Sequence, residues 1–203
     1  MAEQIVKVEP VESWELPNTE EVRGHLAQIK SFQSLVHSQL ISGRDYGVIP
    51  GTKSPTLLKA GAEKMAKLLG LVDEYEILSQ VEDWEKPLFA YTVRCLLRAV
   101  RMGQLISTGL GECNSMEAKY RWRWLPAWEA RAQGIDETTA QVRKVISARG
   151  GKQITLLRIG NDDVYSQVNT ILKMAKKRAM VDAVLSASRL SDIFTQDIED
   201  LRA

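Results

Sequence analysis

The stretch 89–99, Phe-Ala-Tyr-Thr-Val-Arg-Cys-Leu-Leu-Arg-Ala, places an apolar residue at every second position. Phe89, Tyr91, Val93, Cys95, Leu97 and Ala99 fall on one side of an extended chain. Thr92, Arg94 and Arg98 fall on the other, which is the period of a strand with one buried face. Pro87 marks its start. Arg101-Met102-Gly103-Gln104 reads as a turn and Leu105 to Cys113 as the returning strand. Glu74 to Val81 reads as a strand before them, so the centre of the chain is a meander of about three strands built on a long hairpin. Gly109 and Gly111 predict a bulge or a strong bend in the last strand.

Helical patterns flank the meander. Asn18 or Thr19 caps a helix beginning at Thr19-Glu20-Glu21, with the two glutamates at its positive end. Val22, Leu26, Ile29, Leu35, Val36 and Leu40 recur along it to Ser42, and Gly43 ends it. The loop Gly43–Pro55 follows, rich in glycine and proline. In the next helix Leu58, Gly61, Ala62, Met65, Leu68 and Leu69 form one stripe. Gly61 on that stripe predicts close approach to another backbone, and Gly70 predicts a C-terminal cap. Tyr165 to Ala187 is a long helix with Val164, Val168, Ile171, Leu172, Ala175 and Ala179 toward the core. Between the meander and this helix, Lys119–Gly134 is basic and aromatic. A polar helical stretch then leads to Gly150-Gly151, and 116–160 reads as an insertion.

With 203 residues, 44% hydrophobic and 26% charged, the composition is that of one globular domain with arms. No apolar run approaches the roughly 18 residues of a spanning helix. The acidic N-terminus lacks a secretory pattern. Two cysteines and two histidines cannot assemble a CxxC or HxxxH metal site, and a reducing, cytoplasmic setting is expected. The net charge is +1, but the bases concentrate in the middle and the acids at the ends.

The loop Gly47-Val-Ile-Pro-Gly51-Thr-Lys53-Ser54 is not a P-loop. Three residues separate its glycines rather than four, Thr52 stands before Lys53, and no strand precedes it. It reads as a turn that offers Lys53 to a partner. Cys95 and Cys113 read as small apolar packing residues on paired strands. No carboxylates fall in a nuclease arrangement, and the acidic tail reads as solvated or as a contact to a basic surface.

The bases are more informative. Lys173, Lys176 and Lys177 recur at one-turn spacing, with Arg178 beside them. They read either as a solvated helix face or, with Arg94, Arg98, Lys119, Arg121 and Arg123, as a groove tracking a phosphate backbone. Tyr120, Trp122, Trp124 and Trp128 interleave with the insertion's bases. They read either as base-stacking residues or as a satellite core or oligomer interface.

Three segments, 43–71, 109–123 and 168–200, resemble a group of phage and mobile-element recombination proteins. These are similar to the single-strand annealing proteins of the Rad-fifty-two-type superfamily. The resemblance covers about residues 40–120 and 165–200. It implies an α+β annealase core, an antiparallel meander with helices packed on one face. It also implies ATP-independent binding of single-stranded DNA and annealing of complementary strands in recombination and repair. No bond is made or broken and no cofactor is required. Lys173, Lys176, Lys177 and Arg178, with the hairpin arginines, would hold the strand. The assembly implied is a homo-oligomeric ring or filament in a bacterial host cell, with a phage exonuclease or host single-strand-binding protein as further partners. Many relatives carry a cysteine-rich, zinc-knuckle-like insertion, and this chain has no cysteines there. The expected organisation is an acidic arm over 1–18, the annealase domain over 19–190 with its insertion at 116–160, and an acidic tail over 191–203. The rival expectation is a structural or adaptor protein, whose basic helix and aromatic insertion contact other proteins.

Overall fold

The computed structural model describes residues 18–48, 55–135, 140–146 and 151–194. The loop carrying Lys53, the arm before Asn18 and the acidic tail beyond Phe194 lie outside the described residues, while 191–194, assigned to the tail, are described and Phe194 is buried. The chain divides into two compact units, Met1–Gln39 and Leu40–Ala203. The described part of the first is α1, Thr19–Gln39. Asn18 caps it, its side-chain oxygen accepting the Glu21 N–H at 2.9 Å. The helix stops at Gln39, before Gly43. Gly43 (φ +80°) instead sits in the turn that follows, where its N–H donates to the Tyr46 carbonyl.

The second unit is α+β with antiparallel sheets. Its elements are β1 (Tyr46–Gly47), β2 (Thr56–Leu57), α2 (Lys59–Leu68), β3 (Leu71–Asp83), β4 (Leu88–Ala99) and β5 (Leu105–Asn114). Then come α3 (Ala118–Arg121), β6 (Trp122–Pro126), α4 (Ala127–Ala132), β7 (Gln141–Ile146) and β8 (Gln153–Gly160). A 3-10 turn at Val164–Gln167 leads into α5, Val168–Ser188. The main sheet has the order β3-β4-β5 and the second sheet β6-β8-β7. Among the described residues no helix is long and apolar enough to cross a membrane.

The alternation along β4 sets the core. Phe89, Val93, Cys95 and Leu97 are fully buried and Tyr91 nearly so, all on the face that α5 covers. From α5 come Ile171, Ala175, Ala179, Ala183 and Val184, also fully buried.

Gly109 and Gly111 form no bulge. Both sit in regular register, opposite Cys95 and Val93. They are glycine because the helix backbone lies against them. A Cβ on Gly109 would stand 2.2 Å from the Ala183 nitrogen, and one on Gly111 2.3 Å from the Ala175 carbonyl oxygen. The irregularities of register lie instead between Ile77 and Ser79 and between Leu97 and Arg98.

Around Gly61 the expectation of close approach holds, since its Cβ would meet the Asp45 carbonyl oxygen at 2.2 Å. Gly70 follows the C-cap of α2 with φ +65°. Leu68, however, is 62% exposed and leaves the stripe. Within the polar stretch before Gly150, the described residues Gln141–Ile146 form a strand rather than a helix. Val142 and Val145 pair with β8 as part of β7, so the insertion is a sheet with its own small core of Leu125, Ala127, Ala130 and Leu157.

Asp45 ties the segment before α2 to the helix. It is only 2% exposed. It accepts the Ile41 N–H at 3.0 Å and the Lys64 ammonium at 3.0 Å. These bonds, the backbone N–H first, hold its carboxyl down at about 2, below the ordinary 3.8. A carboxyl lowered on folding stabilises the fold above its unfolded value, and that contribution is lost as pH falls from about 4 to about 2.

Two predictions follow from this packing. Gly109→Ala forces the α5 and β5 backbones apart and lowers stability by about 3 kcal/mol or more, read by urea unfolding. Asp45→Asn lowers stability by about 2 kcal/mol at neutral pH. It also flattens the acid limb of the stability curve between about pH 4 and 2, read by thermal melts across that range.

Candidate nucleic-acid interface

The expected basic residues fall in three places. Arg94 and Arg98 lie on the face of the main sheet opposite α5, each across from a β3 glutamate. Arg94 meets Glu76 at 3.3 Å and Arg98 meets Glu74 at 3.0 Å. Exposed pairs of this kind add roughly 0–1 kcal/mol, and they leave little net charge for a phosphate. The hairpin arginines and the α5 lysines are therefore on opposite sides of the sheet. One chain does not bring them into a single groove.

On α5 the four bases have different tasks. Lys173 is exposed and Lys177 half-buried, and neither has an ion-pair partner among the described residues. Lys176 lies 4.4 Å from the centre of the Tyr75 ring. Arg178 is built into the fold. Its guanidinium grips Glu117 with two bonds of 2.6 and 3.0 Å and also donates to the Glu112 carbonyl of β5. One turn on, Asp182 accepts the Leu110 N–H at 2.8 Å. Together Arg178 and Asp182 satisfy backbone groups on the outer edge of β5, which no strand covers among the described residues.

The third group lies on the second sheet. Trp122 pairs with Gly160, and Trp124 with Arg158, which in turn pairs with Gln141. Because directly paired residues share a face, Trp122, Trp124, Arg158, Gln141 and Arg143 share one. The Arg121 guanidinium stands 4.9 Å from the Trp122 ring centre and that of Arg158 5.0 Å. Arg158 is held by the Gln141 side chain at 2.9 Å. Trp124 is 39% exposed and Arg143 is exposed.

Tyr120 is not part of this face. It is 5% exposed, its hydroxyl lies 3.7 Å from the Cys113 sulfur, and the Lys119 ammonium rests 4.6 Å from its ring centre. Lys119 also pairs with Glu117 at 3.3 Å. Arg123 lies on the other face, paired with Asp162 at 2.9 Å, and its Nε is buried without a partner among the described residues. An unsatisfied buried N–H costs about 1–3 kcal/mol.

Arg143 and Arg158 were not singled out by sequence reasoning. Their meeting with the tryptophans depends on β8 lying between β6 and β7, which pairs Trp124 with Arg158, 34 residues further along the chain. The alternation Ile154, Leu156, Arg158 in a β-branched stretch was the available signal.

Nucleophilic chemistry has no foothold in the cysteines. Both are fully buried. Burial, above all, pushes Cys95 up to about 12 and Cys113 up to about 11. Among the described residues no group of three His, Cys, Asp or Glu is placed to hold a metal ion.

Arg178→Ala, by freeing Glu117 and the β5 edge, lowers stability by about 1–3 kcal/mol in denaturant titration. Lys173→Ala leaves the unfolding midpoint in place.

No protein-family model, curated protein or solved structure matches this chain.

Proposed function

We propose that this protein binds single-stranded DNA without ATP and anneals complementary strands, as a homo-oligomer built on a Rad-fifty-two-like annealase core. The observation that carries the reading is the division of labour among its bases. Arg94, Arg98 and Arg178 are neutralised by carboxylates. Among the described residues Lys173 and Lys177 have no carboxylate partner, and the second sheet presents arginines interleaved with tryptophans. Cations without carboxylate partners suit a phosphate backbone, and aromatic faces suit bases.

Annealing is then positional. Phosphate repulsion between strands is reduced, one strand is held extended, and its free edges meet a complement. No nucleophile or leaving group is needed.

Self-association is supported by the sheet edges. Side chains of α5 close the outer edge of β5. β3 is the other edge, thirteen residues long, with Ile77, Leu78 and Val81 each more than two-fifths exposed. An edge strand is a template for pairing with another chain. Repetition of a weak site along one strand multiplies its affinity.

The test is binding to a labelled oligonucleotide across a salt series, with mass read by light scattering. A large oligomer with steeply salt-dependent binding is expected. Lys173→Ala with Lys177→Ala lowers the slope of log K against log salt by about 1.4 per subunit engaged. A monomer indifferent to DNA at low salt overturns the reading and favours the adaptor role.

A further inference from the structure

The main sheet ends in two unlike surfaces. Its antiparallel order β3-β4-β5 puts the turn 84–87 at one end and the turn 100–104 at the other, about 40 Å apart along the twelve residues of β4. We infer that the second turn of one copy docks on the first turn of another, so that copies join end to end. The inference rests on the homo-oligomer reading above and names its contact.

At the first end two large rings stand in solvent. Trp84 is 56% exposed, and Tyr165, from the 3-10 turn before α5, is 41% exposed. Their planes lie within 16° of each other with centres 6.2 Å apart, and both meet the buried Phe89 ring edge to face. The pair is therefore held in place before any partner arrives. Tryptophan and tyrosine in such positions are the usual anchors of protein interfaces, and arginine is their usual companion.

The surroundings of the pair are acidic. Asp83 and Glu85 flank Trp84, and Asp162 and Asp163 precede Tyr165, against the single base Lys86 in these two segments. Asp162 is engaged by Arg123, and the Asp83 carboxylate accepts the Glu85 and Lys86 N–H groups. Glu85 is exposed and has no ion-pair partner among the described residues.

The other end has the opposite character. Met102 is 74% exposed, and Val100 and Leu68 are also exposed. The Val100 N–H donates to the Gly70 carbonyl at 2.9 Å, which joins the end of α2 to this turn. Arg101 and Lys67 are exposed and have no ion-pair partner among the described residues. The segments 65–72 and 96–111 contain no acid at all.

The two ends are complementary in chemistry. A guanidinium packs on an aromatic face and pairs with a carboxylate, and a thioether packs on an aromatic ring. Arg101 and Met102 offer both groups in adjacent residues. Trp84, Tyr165 and Glu85 offer both receptors. Neither end complements itself, since like charges would meet. A contact between unlike patches is heterologous, and its repetition gives a ring or a filament.

The test reads mass by light scattering over a concentration series of the full chain, without DNA. Arg101→Glu and Glu85→Lys each raise the concentration at half-association by about tenfold. Mixing the two variants in equal amounts restores association, because each supplies the charge that the other has reversed. The double variant restores it for the same reason. Thermal melts confirm that the variants fold as the wild type does.

Association that neither single variant weakens overturns the end-to-end contact and leaves the homo-oligomer standing. So does weakened association that neither the mixture nor the double variant restores. A wild type that stays monomeric at every concentration overturns both.

Discussion

The contact between α5 and β5 is made backbone to backbone, and the rest of the second unit depends on it. Helices ordinarily ride on a sheet at the distance their side chains impose. Here Gly109 and Gly111 on the strand, and Ala175, Ala179 and Ala183 on the helix, remove that spacer. Close approach brings Asp182 and Arg178 within reach of the strand's outer edge. It also brings Ser107 within 3.0 Å of the Ala183 carbonyl. The helix thus acts as a fourth member of the sheet along that side. Larger residues of α5, such as Ile171 and Leu185, fill the remaining core.

This contact decides which bases are available. A helix held so close must spend its inward-leaning polar residues on the strand beneath it. Arg178 belongs to that set and Lys173 does not, although the two are only five residues apart. Proximity in a basic run is therefore a poor guide to function. Helical phase relative to the glycines separates structural cations from free ones.

The meander and its helix were legible because both depend on local periodicity. The alternation at 89–99 survives as a buried face, and the stripe along α5 survives with Ile171, Ala175 and Ala179 at its centre. Gly109 and Gly111 mark the strand in the sequence without showing why, since a glycine in a strand can serve a bulge, a bend or a neighbour's backbone, and here it serves the helix backbone. Only the helix position tells them apart. The hairpin arginines were placed on the correct face, but their β3 glutamates came from another strand and their pairing needed the register. The insertion was the least legible part. β6 and β7 are short, the order β6-β8-β7 is not sequential, and the apolar residues of β7 are too sparse to signal a strand. Trp122 and Trp124 were found from composition, whereas Arg158 and Arg143 required the sheet.

The second sheet leaves and returns to the main body at almost one point. Asn161 donates from its backbone to the Arg121 carbonyl at 2.9 Å and from its side chain to the Tyr120 carbonyl at 2.8 Å. The neck is therefore closed by bonds that involve none of the residues between 122 and 160. In evolutionary terms this is a socket. A lineage can lengthen, shorten or wholly exchange what lies beyond the neck without disturbing the meander or α5.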